Sequence, residues 1–431
     1  MNRSPDPPIP RSPDPTFLLS AGEASGDTYG AQLIEAFGQL APSSTFFGMG
    51  GEKMRAAGAD LLVNANEVAV VGLVEVVTHL PAIRRRFKHL VAEAAQRKPD
   101  AAILIDFPDF NLRLARELHR LGIPVFYFVS PQIWAWRTGR VKQIRKYVRK
   151  MIVIFPFEQE FYRRHGVEVS YVGHPLAYAP GPQISRKDFA ARHHLDPKKQ
   201  WMALLPGSRR KEVRLNLSAM VQTARLLQKE SDDFEFVLPV ASTLNQNWLR
   251  EQLALCTAGW SRPSGLRSEP LKNPASAAEV ADHKQQTRAS THEGPLVHLT
   301  DNARATLMHA RAAVVASGTA TVEAALSGTP FVVVYRLAPL TWLLGRRLVK
   351  LDTFAMPNLI ARKKIVTELI QKDFTAQNVV RELNAIIPDG PARQQMQAAL
   401  KIVQQRLHDS QDAEPPARRA AREILGALKA D

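Results

Sequence analysis

The chain has 431 residues, long for one compact core and sufficient for two α/β domains. Its 45% hydrophobic and 23% charged residues are ordinary globular values and exclude a disordered or fibrous chain. One cysteine, Cys256, excludes an intramolecular disulfide and a cysteine zinc cluster, and a reducing compartment is expected. Against 41 acidic residues stand 57 Lys and Arg, a net charge of +16 that suits nucleic acid, an anionic membrane surface or phosphorylated substrates.

In chain order, the first fifteen residues are rich in Pro, Ser and Asp, lack an apolar core and read as a disordered leader rather than a secretory signal. From Thr16 onward short apolar runs alternate with amphipathic stretches, the pattern of a parallel sheet covered by helices. Strands are predicted at 17–19, 101–105, 125–129, 151–155 and 169–172, with helices at 82–96 and 112–121. The longest apolar neighbourhood, Val68 to Leu80, is interrupted by Glu75, Thr78 and His79 and is too short to span a bilayer. Over Leu176 to Pro197 the rhythm pauses, which places a linker there and a domain boundary near Pro180. It restarts with strands at 202–205, 235–238, 296–299, 313–316 and 331–334. Residues 259–295 lack apolar periodicity and are expected to be a disordered insertion. Beyond Thr367 the chain is predicted helical, at 378–387, 392–407 and 417–428.

Open parallel sheets bind ligands at the carboxyl ends of their strands, so four loops are candidates. In the first, Gly22, Glu23, Ser25 and Gly26 lie between a strand and a helix; its glycines allow close backbone approach, although a plain turn explains it as well. In the second, Asp106 to Asn111, Asp109 is either a general base for a hydroxyl group or the cap of a helix beginning at Leu112. The third presents Gly207, Ser208 and Arg209, followed by Arg210 and Lys211; cations opening a helix oppose its dipole unless an anion sits there. In the fourth, Ser317, Gly318 and Thr319 open a helix whose amides could hold a pyrophosphate, with Glu323 in reach of a ribose. A simple capping arrangement with Thr319 as cap fits the same residues. Trp134 lies after a strand, as packing or as a substrate wall; His174 is equally readable as structural or functional. His193 and His194 have no spaced carboxylate or cysteine to complete a metal site, and no metal is expected.

SAGEASGD at Ser20, GMGG at Gly48, DFPDFN at Asp106, PQIWAWR at Pro131, FPFE at Phe155, VGHP at Val172, LPGSR at Leu205, SGTATVE at Ser317 and MPNLIA at Met356 occur in this order. Together they resemble the lipid-A-disaccharide synthase family, bacterial glycosyltransferases of the GT-B type, from about Phe17 to the C-terminal helices. The resemblance implies two doubly wound Rossmann-like domains facing a crevice: an acceptor and membrane-side domain over 16–180 and a UDP-sugar donor domain over 181–366. C-terminal helices over 367–431 would pack back on the first domain or on a partner protomer. It implies an inverting transfer from UDP-2,3-diacylglucosamine to lipid X, the diacylglucosamine 1-phosphate, giving a β-1,6-linked disaccharide 1-phosphate and UDP.

Carried over by motif, Asp109 is the base and Asp100 a supporting residue. Gly207, Ser208, Arg209, Ser317, Gly318, Thr319, Glu323 and Asn358 bind the donor. Gly22, Glu23, Ser25, Gly26, Asn111 and Trp134 line the acceptor side. No cofactor is implied, because helix dipole and arginine take over the electrostatic work of a metal. The location implied is cytoplasmic, peripheral on the inner face of the inner membrane, with Val68 to Leu80 and Arg84-Arg85-Arg86 as the contact with an anionic surface; an ordinary buried helix with a basic end is the other reading. Nucleic acid is not expected as a partner, and a homodimer is left open. A peptidoglycan-type transferase, a UDP-N-acetylglucosamine epimerase and a basic nucleic-acid- or membrane-binding protein are the alternatives. Phe107 departs from the family, where many relatives carry a small residue.

Overall fold

The computed structural model describes residues 15–67, 73–136, 138–258, 296–337, 353–408 and 414–429. The leader before Thr16, the 259–295 insertion and residues 68–72 of the apolar neighbourhood lie outside them, with only Pro15 of the leader described. The described chain forms two compact units: one within 1–181, 339–365 and 398–431, the other within 182–338 and 366–397.

The first unit is built on seven parallel strands: β1 (Thr16–Ala21), β2 (Thr45–Gly50), β3 (Asp60–Asn64), β4 (Ala101–Ile105), β5 (Val125–Phe128), β6 (Lys150–Val153) and β7 (Val169–Tyr171). Their order is β3-β2-β1-β4-β5-β6-β7. The direction of winding reverses between β1 and β4, which pair in register from Phe17 on Ala101 to Ala21 on Ile105. β4, AAILI, and β5, VFYF, are buried at every residue, as strands covered on both faces must be. One face packs Leu18, Phe47, Leu104, Tyr127 and Met151 into a core; the other packs Phe17, Phe37, Phe126 and Ile152.

That second core is closed from the far end of the chain. The helix Pro416–Lys429 lies against the helix Ala24–Leu40 and contributes Ala417, Ala420, Ala421 and Ile424. Glu423 accepts from Lys150 Nζ at 2.6 Å and from Ser170 Oγ at 2.9 Å, which fixes the helix to β6 and β7.

The second unit repeats the plan with β8 (Gln200–Leu205), β9 (Phe234–Pro239), β10 (Val297–Thr300), β11 (Ala312–Ala316), β12 (Phe331–Tyr335) and β13 (Glu368–Ile370), ordered β10-β9-β8-β11-β12-β13 and all parallel. Its switch point lies between β8 and β11.

Several boundaries differ from expectation. β2, β3 and β13 were not anticipated, because TFFGMG, DLLVN and ELI are short and lack a clean apolar run. The expected linker contains a helix, Arg186–His193, capped by the Ser185 side chain, with the Arg186 guanidinium 3.7 Å from the Trp201 ring centroid. The helix expected at Leu112 starts at Pro108 instead.

Candidate active site

In the first unit the switch point brings two of the candidate loops together. Gly22 opens the first loop, and a Cβ added there would overlap the ring of Phe107 from the second. The bulky residue at 107 thus requires the glycine at 22. Asn111 joins the same two loops from below: fully buried, its Nδ2 donates to the carbonyls of Ser20, Ile105 and Asp106 at 3.2, 3.2 and 2.8 Å, while its Oδ1 accepts from Ser20 Oγ at 2.7 Å. Both of its N–H donors are thereby engaged. Asn111 is a clamp for the site rather than a residue lining it, which corrects the acceptor-side expectation.

The clamp leaves Asp109 outside. The cap position of the helix Pro108–Arg120 is Phe107, with φ +51°, so Asp109 stands one turn position further and does not cap. Its side chain is 72% exposed and forms an ion pair with Arg140, from the short turn Thr138–Arg140. Of the two readings of Asp109, the structure removes the capping one. Glu23 is the cap residue of the helix Ala24–Leu40, without a side-chain cap bond, and Ser25 is exposed at its first turn. Gly26 is buried against Ala21.

Asp100 is not brought to this place. It precedes β4 at the amino end, where its Oδ2 accepts from Thr16 N at 2.8 Å, the length of the strand away from Asp109. Its supporting catalytic role is replaced by a structural one, tying β1 to β4.

Trp134 lies on the short helix Ile133–Trp136 after β5, half-buried, with its ring edge-on to Phe157 at 4.9 Å. Beneath it is a group that sequence reasoning missed. Glu158, the last residue of FPFE, is 1% exposed, and burial pushes its carboxyl up to about 8. A glutamate at the third helical position after Phe155-Pro156 was a readable capping signal. His174, at 1% exposure, accepts from Leu176 N at 3.2 Å through Nδ1, and burial pushes it down to about 3. It is a neutral structural residue.

In the second unit, the loop after β8 leads into the helix Arg210–Glu230. Gly207 has φ +123°, and Ser208 N and Arg209 N both donate to Glu212 Oε2, at 3.1 and 3.3 Å. Glu212 therefore offsets the cations that open this helix, a compensation not anticipated. Arg210 is also engaged, 5.2 Å from the Trp248 ring centroid. The loop after β11 is different. The helix Thr319–Ser327 is capped by Gly318, φ +144°, which has no side chain to satisfy the first amides. Thr319 is thus not the cap. Burial pushes the Glu323 carboxyl up from the usual range. Ser317 precedes that turn, its amide donating to Val334 O at 3.0 Å.

Asn358 belongs to the first unit. The helix Met356–Ala361 packs in the first unit against the helix Pro156–Arg164, and Arg362 pairs with Glu160 at 2.6 Å. Asn358 Oδ1 accepts from Ile365 N at 2.7 Å and Nδ2 donates to Thr353 Oγ1 at 3.1 Å, holding its own turn. Among the described residues no group of three or more His, Cys, Asp or Glu could hold a metal ion, and no helix is long and apolar enough to cross a membrane.

The profile of the family described as Lipid-A-disaccharide synthetase matches residues 17–260 and 270–421. The chain belongs to the lipid-A-disaccharide synthase family. It is 50% identical over 409 residues to the lipid-A-disaccharide synthase of Koribacter versatilis, covering 95% of this chain and 97% of that one. The Acidobacterium capsulatum member is 50% identical, with 91% and 92% covered, and the Myxococcus xanthus member 40%, with 96% and 98% covered. Among solved structures, an S. aureus MnaA–UDP co-structure aligns with TM-score 0.60 at 11% identity, covering 96% of this chain and 97% of that one. The calicheamicin glycosyltransferase CalG4 aligns at 0.53 and 14%, covering 96% and 98%. These likenesses show a shared fold of two Rossmann-like sheets, the GT-B arrangement of elements.

Proposed function

We propose that this lipid-A-disaccharide synthase family member, a hexosyltransferase of lipid A biosynthesis, joins UDP-2,3-diacylglucosamine to lipid X with inversion at the anomeric carbon. The observation that carries the residue assignment is the exposed carboxylate of Asp109, held on a clamped turn at the switch point and matched by Arg140. Asp109 takes the proton of the lipid X 6-hydroxyl as its oxygen bonds to the anomeric carbon. The bond from that carbon to the β-phosphate oxygen breaks, and UDP leaves with the electron pair. Arg209 and the uncapped amides at Thr319 stabilise the charge that develops on the leaving group, and Glu323 receives the ribose. Family membership favours this reading over the peptidoglycan-type transferase and epimerase; the epimerases among the structural neighbours share 11 or 12% identity and hence only the fold.

Anionic membrane surface is part of the reading. In the helix Leu73–Arg97, Arg84 and Arg85 are exposed while Arg86 pairs with Glu67 at 2.6 Å. Residues 68–72, and the side chains of 73–79, lie outside the described residues. Charge reversal at Arg84 and Arg85 should weaken binding to anionic vesicles by at least about thirtyfold at low salt, each cation near such a surface contributing about 1 kcal/mol. Unchanged sedimentation with the vesicles would remove this contact from the proposal.

Turnover of UDP-diacylglucosamine and lipid X in detergent, with and without EDTA, followed by mass spectrometry, tests the reaction. Equal disaccharide 1-phosphate in both supports the metal-free transfer. Tight UDP binding without disaccharide would require a different acceptor.

A further inference from the structure

The proposed chemistry leaves one buried acid without a task. Glu158 Oε1 accepts from Trp134 Nε1 at 3.1 Å, and Oε2 accepts from Phe155 N at 3.2 Å. Ser130 completes its surroundings and is itself bonded to the Tyr162 hydroxyl at 2.7 Å. Phe157 packs on Trp134 from the same helix. An apolar residue of similar volume would support an aromatic wall at lower desolvation cost. An acceptor here does what an apolar residue cannot: it fixes the direction of the indole N–H and with it the rotation of the Ile133–Trp136 helix. The turn Thr138–Arg140 follows that helix closely in the sequence, and Arg140 is the ion-pair partner of Asp109.

We propose that Glu158 is a positioning residue for the transfer reaction: by holding Trp134 it sets segment 133–140, places Arg140 against Asp109 and so aims the base. The inference rests on Asp109 being that base. It assigns to a carboxyl group buried below the surface a role exerted wholly through its neighbours, which separates it from residues that touch substrate.

The experiment compares kcat and both KM values for full-length E158Q, E158L, W134F, R140A, D109N and the E158L/R140A pair, with thermal melts and the indole N–H resonance of Trp134. In E158L and W134F, kcat should fall by about tenfold with the donor KM within about twofold, a loss confined to the reacting geometry. In E158Q the one amide oxygen can still accept from the indole, with the Phe155 N bond given up, so kcat should stay within about threefold and the Trp134 resonance in place. Because the effect runs through Arg140, E158L should lower R140A by no more than about twofold. Should E158L fail to fold, W134F carries the same test from the donor side. The inference is overturned if E158L and W134F keep wild-type kcat, if E158Q falls as far as E158L, or if the losses in the E158L/R140A pair multiply. D109N separates the two levels. An active D109N removes the base reading and this inference with it, whereas an inactive D109N beside an active E158L and W134F removes only the role of Glu158.

Discussion

Asp109 and Asn111 are two residues apart on one turn and behave oppositely, one exposed at 72%, the other sealed and hydrogen-bonded through both ends of its amide. Replacing Asp109 by Asn should therefore reduce kcat by about 10²–10⁴-fold, the range for loss of a general base, with UDP affinity nearly unchanged in a calorimetric titration. Both residues belong to DFPDFN, and nothing in the motif distinguishes the exposed one from the buried one. Which side chain is buried, and which end of a strand it occupies, are tertiary facts; Asp100 and Asn358 were unreadable for the same reason. That Asp109 and Glu323 lie near the start of a helix that follows a strand was readable, because a strand end followed by a helix start is a local pattern. The two buried titratable groups make a pH prediction. Glu158, raised to about 8 in the fold from an ordinary 4.5, binds more protons folded than unfolded, so its contribution falls as pH rises from 4.5 to 8. His174, lowered to about 3 from 6.5, binds fewer, so its contribution falls as pH drops from 6.5 to 3. Between 4.5 and 6.5 the slopes oppose each other. Urea melts should show a stability plateau there, with E158Q removing most of the loss above pH 6.5; an unchanged alkaline limb in E158Q would contradict the assignment.

At the scale of elements, the strands β1, β4, β5, β8, β11 and β12 were legible because strands buried on both faces must be apolar throughout. Among the strands at or near the sheet edges, β7 and β10 were legible too, whereas β2, β3 and β13 were not: β3 and β13 are short and carry charge at their first residues, and β2 contains two glycines. Helix starts were harder still. Pro108 at the first helical position is a start signal, and it was outweighed by the reading of Asp109 as a cap. The clamp between loops gives a second prediction. Asn111→Ala removes the ties to Ser20, Ile105 and Asp106 in an enclosed place and should cost about 2–4 kcal/mol, since buried carbonyls are left unpaired. Chemical denaturation would read the loss, and turnover should fall further than the folded fraction because both loops lose their common anchor.

The molecule as a whole is assembled from units that the chain does not visit in turn, the first being drawn from three separate stretches. This organisation explains why a division at a single linker is an incomplete description of it. Ile424, fully buried in the first unit's core, offers a probe. Ile424→Ala should destabilise that unit by about 2–5 kcal/mol, the range for truncating a buried aliphatic side chain. A scan that follows both units should move one transition and leave the other; a shared shift would mean that they melt together. The same closing helix bears on how the protein is made. The first sheet is complete when Tyr171 has been synthesised, yet the helix that covers its Phe17 and Phe37 face begins only at Pro416. Until then this core has the helix Ala24–Leu40 but lacks Ala417, Ala420, Ala421 and Ile424, while the second unit has every one of its stretches once Gln397 is made. The second unit can therefore be completed before the first, against the usual order in which the earlier domain folds first. Its last-made residues decide when its first-made residues are safe.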